Sequence, residues 1–264
     1  MDLGLRDRVA IVTGGSQGLG RAIALGLAAE GARLMICARR RAVLEEAAKA
    51  IADLGTEAET LAVDVTEPSS AATMVQAALE RFGRIDIVVN NAGKGSPRPL
   101  AEQTDDDWRA SFELNLLSAV RLSLAALPHL RQQRWGRIVN VSSRVGREPD
   151  PYFAPYAAAK AGLINFTKSM GNAFSGDGVL TNCIIPGLIR GEAVDQAAVT
   201  SAESTASTTD DVMAKILRRR PIPAGRLGEP EDVAGLAVFL ASDAASWITG
   251  ASFTVDGGIT RSAT

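Results

Sequence analysis

Tyr156 and Lys160, two residues that can exchange a proton, stand four positions apart in the sequence. The surrounding pattern predicts a helix over residues 155–175, which would place both side chains on one helix face. A free tyrosine titrates near ~10, and a cation within ~4–6 Å favours the phenolate and lowers that pKa. The pair therefore predicts proton transfer with a carbonyl or alcohol near neutral pH.

A predicted strand end supports this interpretation. Val141, Ser142 and Ser143 close a predicted strand, and Tyr156 follows Ser143 after 13 positions. Ligands of open α/β sheets bind at the carboxyl ends of the strands. Without that strand end, the tyrosine–lysine spacing would more often mark an ordinary pair on a helix surface.

A glycine-rich turn joins the first predicted strand to the first predicted helix. From Gly14 to Gly20 the spacing is G-x-x-x-G-x-G, and no Lys-Ser/Thr of an ATP-binding loop follows. Glycines let the backbone approach a pyrophosphate, and the start of the helix presents free N–H groups and a positive dipole. The turn therefore predicts a dinucleotide site.

The end of the second predicted strand bears on which nicotinamide cofactor binds. An acid there would bind the ribose hydroxyls of NAD, whereas an arginine accommodates the 2′-phosphate of NADP. The sequence reads Cys37-Ala38-Arg39-Arg40-Arg41, without an acid. A guanidinium can bind a phosphate through two hydrogen bonds. We therefore expect NADP(H) to be favoured over NAD(H), with Arg39 as the main contact; a solvated basic helix start is the alternative.

Composition argues against several other chemistries. The 264 residues include one histidine, His129, and two cysteines, Cys37 and Cys183, which are 146 positions apart. These counts do not build a Cys/His zinc site or a disulfide framework, so we expect no metal and a reducing, cytoplasmic compartment. A net charge of −2 gives no reason to expect nucleic acid. No apolar run reaches ~18 residues and no signal peptide is evident, so no membrane partner is expected.

Short β-rich runs alternate with helical stretches along the chain. Strands are predicted at Arg8–Thr13, Arg33–Ala38, Thr60–Val65, Ile85–Asn90, Gly136–Ser142, Leu180–Ile185 and 251–255, and helices at 18–30, 42–54, 68–82, 104–132, 155–175 and 229–242. Strands separated by single helices imply an α/β fold with a doubly wound parallel sheet of about seven strands. We expect one domain over residues 1–264, with a substrate-lid segment at about 188–225 that is alternatively partly disordered.

The motifs and their order resemble the short-chain dehydrogenase/reductase family over residues 6–258. The matching motifs are T-G-x-x-x-G-x-G at Thr13–Gly20, N-N-A-G at Asn90–Gly93, the helix Asn115, Ser143 with its 13-residue spacing to Tyr156, the Y-x-x-x-K pair Tyr156 and Lys160, and Pro186-Gly187. The segments Arg226–Ala234 and Ile248–Gly258 are similar to the bacterial 3-oxoacyl carrier-protein reductase branch. The resemblance implies a single-domain Rossmann fold.

The resemblance also implies roles for individual residues. Tyr156 would be the general acid in reduction or the base in oxidation, and Lys160 would lower its pKa and hold the nicotinamide ribose. Ser143 would orient the substrate oxygen, and Asn115 would support Lys160 through a water. The implied cofactor contacts are Gly14, Ser16, Gln17, Gly18, Leu19, Gly20, Arg39, Arg40, Asp64, Val65, Asn91, Ala92, Gly93, Tyr156, Lys160, Pro186, Gly187 and Ile189.

The implied activity is hydride transfer between NADP(H) and the carbonyl or alcohol group of a small molecule. An NAD-dependent alcohol or polyol dehydrogenase is the alternative within the family, and a non-catalytic dinucleotide sensor is the alternative outside enzymology. By analogy the resemblance implies a homotetramer or homodimer.

The sequence departs from the family pattern at one position: Arg190 occupies a place where the family commonly has a threonine near the nicotinamide. Arg190 is therefore expected either near the cofactor or substrate, or turned to the surface.

Overall fold

The computed structural model contains one parallel sheet of seven strands. The structure describes residues 2–191 and 221–262 and, between them, residues 199, 202, 207–209, 211, 214 and 217–218. The strands are β1 (Val9–Thr13), β2 (Arg33–Ala38), β3 (Ala58–Ala62), β4 (Ile87–Asn90), β5 (Gly136–Val141), β6 (Val179–Pro186) and β7 (Ser252–Val255). They are ordered β3-β2-β1-β4-β5-β6-β7 and all neighbours pair in parallel. The predicted single-domain, doubly wound fold is confirmed.

Helices connect the strands and cover both faces of the sheet. They are α1 (Gly18–Ala29), α2 (Arg41–Ala52), α3 (Ser70–Phe82), α4 (Asp105–Phe112), α5 (Ser118–Gln132), α6 (Ala154–Phe174) and α7 (Pro230–Leu240). Their ends follow local chemistry. Thr104 and Asp107 form a capping box at the start of α4, and Gly83 ends α3 in the left-handed conformation with φ 75°.

The core consists of one apolar cluster on each face of the sheet. Alternate residues of β1 point to opposite faces, as the strand period of two requires. Ala10 and Val12 join the cluster that includes α1, α2 and α7, whereas Val9 and Ile11 join the cluster that includes α3, α5 and α6. Both sheet faces are therefore covered by apolar packing.

Two element bounds differ from the prediction for reasons visible in the structure. β3 was expected at Thr60–Val65 but spans Ala58–Ala62. The Asp64 carboxylate accepts hydrogen bonds from the Thr66 N–H at 3.0 Å and the Thr66 hydroxyl at 2.8 Å. This side-chain turn competes with the strand, a known property of aspartate. The turn therefore ends β3 early and presents Asp64 at the carboxyl edge.

The helix predicted over 104–132 is interrupted in its first half. A π-helical segment, Glu113–Leu117, separates α4 from α5. Within it, the Asn115 amide donates to Ser111 O at 3.0 Å and to Lys94 O at 3.1 Å. Such π segments occur frequently at functional sites. The wider turn directs Asn115 toward the loop that follows β4.

A buried polar chain ties two helices to the centre of the sheet. Asn90 at the end of β4 donates to Ser123 Oγ of α5 at 2.9 Å and to Asn140 Oδ1 of β5 at 2.8 Å. Asn140 donates in turn to Thr167 Oγ1 of α6 at 2.9 Å. Buried, hydrogen-bonded polar groups specify geometry more sharply than apolar contacts. The chain thus aligns β4, β5 and α6, which all carry candidate site residues.

The combined helix Asp105–Gln132 is long and apolar enough to cross a membrane by length and composition. Its second half packs into the core through Leu122, Ala126 and Leu130. Leu124, on the same helix, is 48% exposed. A core helix can pass the same length and composition test, so this finding is weak evidence for a membrane segment.

The predicted lid at about 188–225 lies largely outside the described residues. Its two ends are described and lie together. Ile189 and Gly228 form a parallel β-bridge, in which Arg190 N donates to Gly228 O at 2.7 Å and Gly228 N donates to Leu188 O at 2.9 Å. The segment therefore leaves and rejoins the fold at one place, beyond the carboxyl end of β6.

Helix α6 packs closely against the turn before β7, and this contact yields a prediction. A Cβ added at Gly171 would lie 2.6 Å from Gly250 N and 2.8 Å from Gly250 Cα. We expect Gly171→Ala to lower the free energy of unfolding by about 1–3 kcal/mol because the two backbones must separate. Urea denaturation followed by circular dichroism measures the change.

Gly235 in α7 provides the matched control, because an added Cβ there meets nothing within 4 Å. Since alanine forms helices better than glycine, Gly235→Ala should raise stability by up to about 1 kcal/mol. Equal shifts in the two variants would contradict the close-packing argument.

Candidate active site

The glycine-rich turn after β1 is shaped to admit a phosphate group. Gly14 has φ +65°, and the N–H groups of Gly14 and Gly15 both bond to Cys37 O of β2. Helix α1 begins at Gly18, and its N-cap residue Gln17 makes no side-chain capping bond. Its first N–H groups are thus not capped by the Gln17 side chain, and a Cβ at Gly18 would face open space. This is the chemistry that an anionic pyrophosphate requires.

Thr13 joins the turn after β1 to the loop after β4. Its hydroxyl accepts the N–H groups of Asn91 at 3.0 Å and Ala92 at 3.1 Å, and donates to Val89 O at 3.2 Å. Asn91 in return donates from Nδ2 to Thr13 O at 3.0 Å. The strand order reverses between β1 and β4, and such a switch point is where open α/β sheets bind ligands. Sequence reasoning missed Thr13, although its place before Gly14 in the motif was a usable signal.

The arginines after β2 lie beside the same crevice. Arg39 and Arg40 are exposed, and the Arg40 guanidinium donates to the Gln17 amide oxygen. Hydrogen bonds from the backbone and side chain of Thr66, together with the charge of Arg39, lower the pKa of Asp64. The structure therefore brings Gln17, Asp64 and both arginines to one rim, with Val65 buried next to it.

Lys160 is a buried cation at the centre of the candidate site. Its ammonium donates to Val141 O at 2.8 Å, and the side chain is 2% exposed. Burial lowers the pKa of Lys160 to about 8, while the nearby Cys183 thiol acts in the opposite direction. A Cβ at Gly93 would lie 3.0 Å from the Lys160 ammonium and 2.7 Å from Asn115 Oδ1. Gly93 is therefore the position where the loop after β4 meets both polar side chains.

Asn115 fixes the backbone of that loop from the other side. Its Oδ1 accepts the Lys94 N–H at 2.9 Å, and its amide donates to Lys94 O at 3.1 Å. The Asn115 side chain thus accepts from and donates to the backbone of Lys94, as a neighbouring strand would. They hold Gly93 and Lys94 beside Lys160, so the loop after β4 and helix α6 share one boundary.

Tyr156 stands at the mouth of this buried cluster. It is partly buried, packs edge-on against Phe153 with 6.4 Å between ring centroids, and has the Lys160 ammonium 5.7 Å from its own ring centroid. Burial raises the pKa of Tyr156, and a hydrogen bond with the Ser143 side chain acts against that rise. Lys160 is not among the groups that shift this pKa here, and its ammonium donates to Val141 O; that Lys160 lowers the pKa of Tyr156 stays a prediction.

The two serines after β5 face different partners. Ser142 is buried and donates to Lys160 O at 2.9 Å, which links the strand end to helix α6. Ser143 lies against Tyr156, and its Oγ also accepts the Val145 N–H at 3.4 Å. The structure thus brings Ser143, Tyr156, Lys160 and Asn115 together and turns Ser142 away.

The segment after β6 lines the remaining side. Pro186 is buried, Gly187 N donates to Val255 O at 3.0 Å, and Ile189 packs against the core. Arg190 is 54% exposed and forms an ion pair with Glu229 at 3.2 Å. Of the two positions expected for Arg190, the structure therefore shows the surface one. At the position where the family commonly has threonine, the Arg190 guanidinium is therefore directed to Glu229 and not to the site.

Comparisons with known proteins agree with this geometry. A family model described as enoyl-(acyl carrier protein) reductase matches residues 14–260. The chain is 39% identical over 258 residues to the 3-oxoacyl-[acyl-carrier-protein] reductase FabG of Salmonella typhimurium, covering 97% of this chain and 99% of the relative.

Two solved structures share the fold over nearly their full lengths. The L-sorbose reductase of Gluconobacter frateurii, complexed with NADPH and L-sorbose, superimposes with a TM-score of 0.96 at 33% identity, covering 99% of this chain and all of that one. A 3-oxoacyl (acyl-carrier-protein) reductase of Agrobacterium tumefaciens C58 with NADP bound gives 0.87 at 33% identity, covering 97% and 96%. The chain therefore belongs to the short-chain dehydrogenase/reductase family, in its 3-oxoacyl carrier-protein reductase-like branch, and is an oxidoreductase.

Proposed function

We propose that the protein transfers a hydride between NADP(H) and a ketone or secondary alcohol, with Tyr156 as the general acid/base. The observation that carries the proposal is the convergence of Tyr156, Ser143, Lys160 and Asn115 beside the glycine-rich turn, at the carboxyl edge of one sheet. Proton-transfer groups next to a dinucleotide cradle have no use in a protein that only senses the dinucleotide. The set therefore favours an enzyme over a sensor.

The cradle fits NADP(H) at its pyrophosphate and at its 2′-phosphate. The open N-terminus of α1 suits the pyrophosphate, and exposed Arg39 and Arg40 suit a 2′-phosphate. We assign the cofactor contacts to Gly14, Ser16, Gln17, Gly18, Leu19, Gly20, Arg39, Arg40, Asp64, Val65, Asn91, Ala92, Gly93, Tyr156, Lys160, Pro186, Gly187 and Ile189. The bound cofactor supplies or accepts the hydride.

Tyr156 would donate its phenolic proton when the site reduces a carbonyl. A raised pKa keeps Tyr156 a neutral phenol at neutral pH, which is the form that can donate a proton to a developing alkoxide. Ser143 and Tyr156 are hydrogen-bonded to one another and would both donate to the carbonyl oxygen, opposing its growing negative charge. Lys160 and the loop after β4, which Asn115 binds, form the inner surface of the site. Lys160 would bind the ribose hydroxyls of the cofactor.

The substrate is proposed to be a small carbonyl compound that enters between the loops after β4, β5 and β6. The described ends of the 188–225 segment lie beyond β6, which supports its assignment as part of the substrate wall. We also propose a cytoplasmic location, as for an enzyme that depends on a diffusible nicotinamide cofactor.

We further propose that the protein assembles as a homotetramer, or at least a homodimer. Strand β7 is an edge strand with pairing capacity on its free side. Trp247, in the turn before it, is 98% exposed, and Leu124 of α5 is 48% exposed. A large exposed apolar side chain next to an edge strand, as at Trp247, is suited to contact with a second copy of the chain.

The function is tested by Tyr156→Phe, which removes only the phenolic hydroxyl. Loss of a general acid should lower kcat for ketone reduction by about 10²–10⁴-fold. NADPH affinity, followed by cofactor fluorescence, should stay close to that of the parent. Ser169→Ala is the control, because it removes an exposed hydroxyl of α6 that bonds to Asn165 O on the same helix. Full activity in Tyr156→Phe would reject the proposed acid, and activity lost equally in both variants would reject its specificity.

Cofactor choice is tested by Arg39→Asp. A carboxylate at this position repels the 2′-phosphate and can bind ribose hydroxyls, so KM for NADPH should rise about tenfold or more while NADH turnover improves. Lys49→Asp, a charge reversal at an exposed site near the end of α2, should leave the ratio of NADPH to NADH efficiency unchanged. An unchanged KM for NADPH in Arg39→Asp would move the phosphate contact to another residue.

Assembly is tested by Trp247→Glu with light scattering after size exclusion. The parent should run at about four times 27.6 kDa, or twice for a dimer, and the variant at a lower multiple because a buried, unpaired carboxylate opposes association. Leu54→Glu is the control, since Leu54 is 49% exposed at the end of α2, away from β7. A parent protein of 27.6 kDa would show that the assembly proposal is wrong.

A further inference from the structure

The segment that follows Ser143 is held by distant parts of the chain. Residues Arg144–Gly146 form a 3-10 turn, and Arg147 then reaches to the edge strand β7. Its guanidinium donates to Thr254 Oγ1 at 3.0 Å and to Ser252 O at 3.3 Å. The residues between Ser143 and helix α6 are therefore bonded to β7, which lies more than a hundred positions later in the sequence.

Glu148 makes a second and stronger attachment. One of its carboxylate oxygens accepts the backbone N–H groups of Arg261 at 2.7 Å and Ser262 at 2.9 Å. Hydrogen bonds to a carboxylate are shorter and stronger than those between neutral groups. The N–H groups of Ser262 and Arg261 also lower the pKa of Glu148, which keeps the carboxylate charged at neutral pH.

The tail that Glu148 binds is itself ordered. The Asp256 carboxylate accepts the N–H groups of Gly258 and Thr260, each at 2.8 Å. Ile259 is buried with Ile222 and Leu227 in a small apolar cluster. Residues 256–262 thus form a folded arm rather than a loose end, and this arm reaches the loop beside Ser143.

The charge of Arg144 acts on the two carboxylates that bind the arm, Asp256 and Glu148. Burial raises the pKa of Asp256, but hydrogen bonds from Thr260 and Gly258 and the charge of Arg144 lower it overall. Arg144 acts in the same direction on Glu148. The charge of the residue directly after Ser143 therefore acts on both carboxylates that bind the arm.

We propose that Glu148 is a positioning residue that clamps the C-terminal arm, residues 256–262, against the segment Ser143–Asp150 and so makes the arm a fixed wall of the carbonyl-substrate side. This inference rests on the proposed function of the site. We place the effect on the substrate side because Glu148 binds the far end of the arm at Arg261 and Ser262, whereas the arm meets the assigned cofactor contact Gly187 at Asp256, which all the variants below keep. Its loss should misplace Ser143 relative to the substrate oxygen and leave the cofactor cradle intact.

The experiment compares Glu148→Ala with a truncation after Thr260, which removes the two bound N–H groups but keeps Asp256 and Ile259. Small displacements of orienting groups are costly, so we expect kcat/KM for the carbonyl substrate to fall about tenfold in each variant. NADPH affinity should not change. Because both variants remove the same contact, their combination should lose no more than either one alone.

Glu148→Gln tests the clamp by partial rescue, since the amide oxygen can still accept both N–H groups without the charge. Its kcat/KM should fall between that of the parent and that of Glu148→Ala. Glu80→Ala is the matched control, because Glu80 bonds only to Gln76 on the exposed face of α3 among the contacts the structure describes. It removes one carboxylate and one hydrogen bond without reaching the site.

An activity-independent measurement separates this inference from the proposed function. Hydrogen–deuterium exchange should rise in residues 143–150 when the tail is truncated. Faster exchange with unchanged kcat/KM would overturn the positioning role, as would effects that add in the combined variant or NADPH affinity that weakens to the same extent. Absence of ketone reduction in the parent protein would instead overturn the proposed function.

Discussion

The buried ammonium of Lys160 is the constraint around which the site is arranged. A cation removed from water must be bonded on every side that the fold closes, or its charge is lost. Here the carbonyl of Val141 takes one N–H, and Gly93 leaves just enough room for the rest of the group. The end of β5, the loop after β4 and helix α6 must therefore meet at one point.

That meeting point is secured by polar contacts deeper in the sheet. The chain from Ser123 through Asn90 and Asn140 to Thr167 sets α5 and α6 against the two central strands. Ser142 adds a bond from the end of β5 to the backbone of α6 at Lys160 itself. A shift of α6 along the sheet would break several of these bonds at once, so the spacing of Tyr156 from Ser143 is held by the core and not by the loops.

Much of this could be predicted from the sequence because it depends on local patterns. The strands follow from short apolar runs, and the shared face of Tyr156 and Lys160 follows from helical spacing. What could not be predicted depends on particular side chains in three dimensions. The Asp64 turn ends β3 early, the Asn115 bonds accompany a π segment, and burial raises the pKa of Tyr156. Glu148 is one acid among 30 Asp and Glu residues, and no local pattern marks its tail contacts.

The two sides of the crevice are formed by different parts of the chain. The proposed pyrophosphate cradle uses main-chain geometry within the first half of the chain, where glycines at 14, 18 and 20 and the hydroxyl of Thr13 leave little freedom for variation. The proposed substrate side consists of the segment after Ser143, strand β7 and the C-terminal arm, joined by side chains such as Arg147 and Glu148. Under the proposed function, carbonyl specificity can therefore diverge at Arg147 and Glu148 while the hydride chemistry is kept, because these side chains bond to β7 and the C-terminal arm, whereas the Lys160 ammonium bonds to Val141 O.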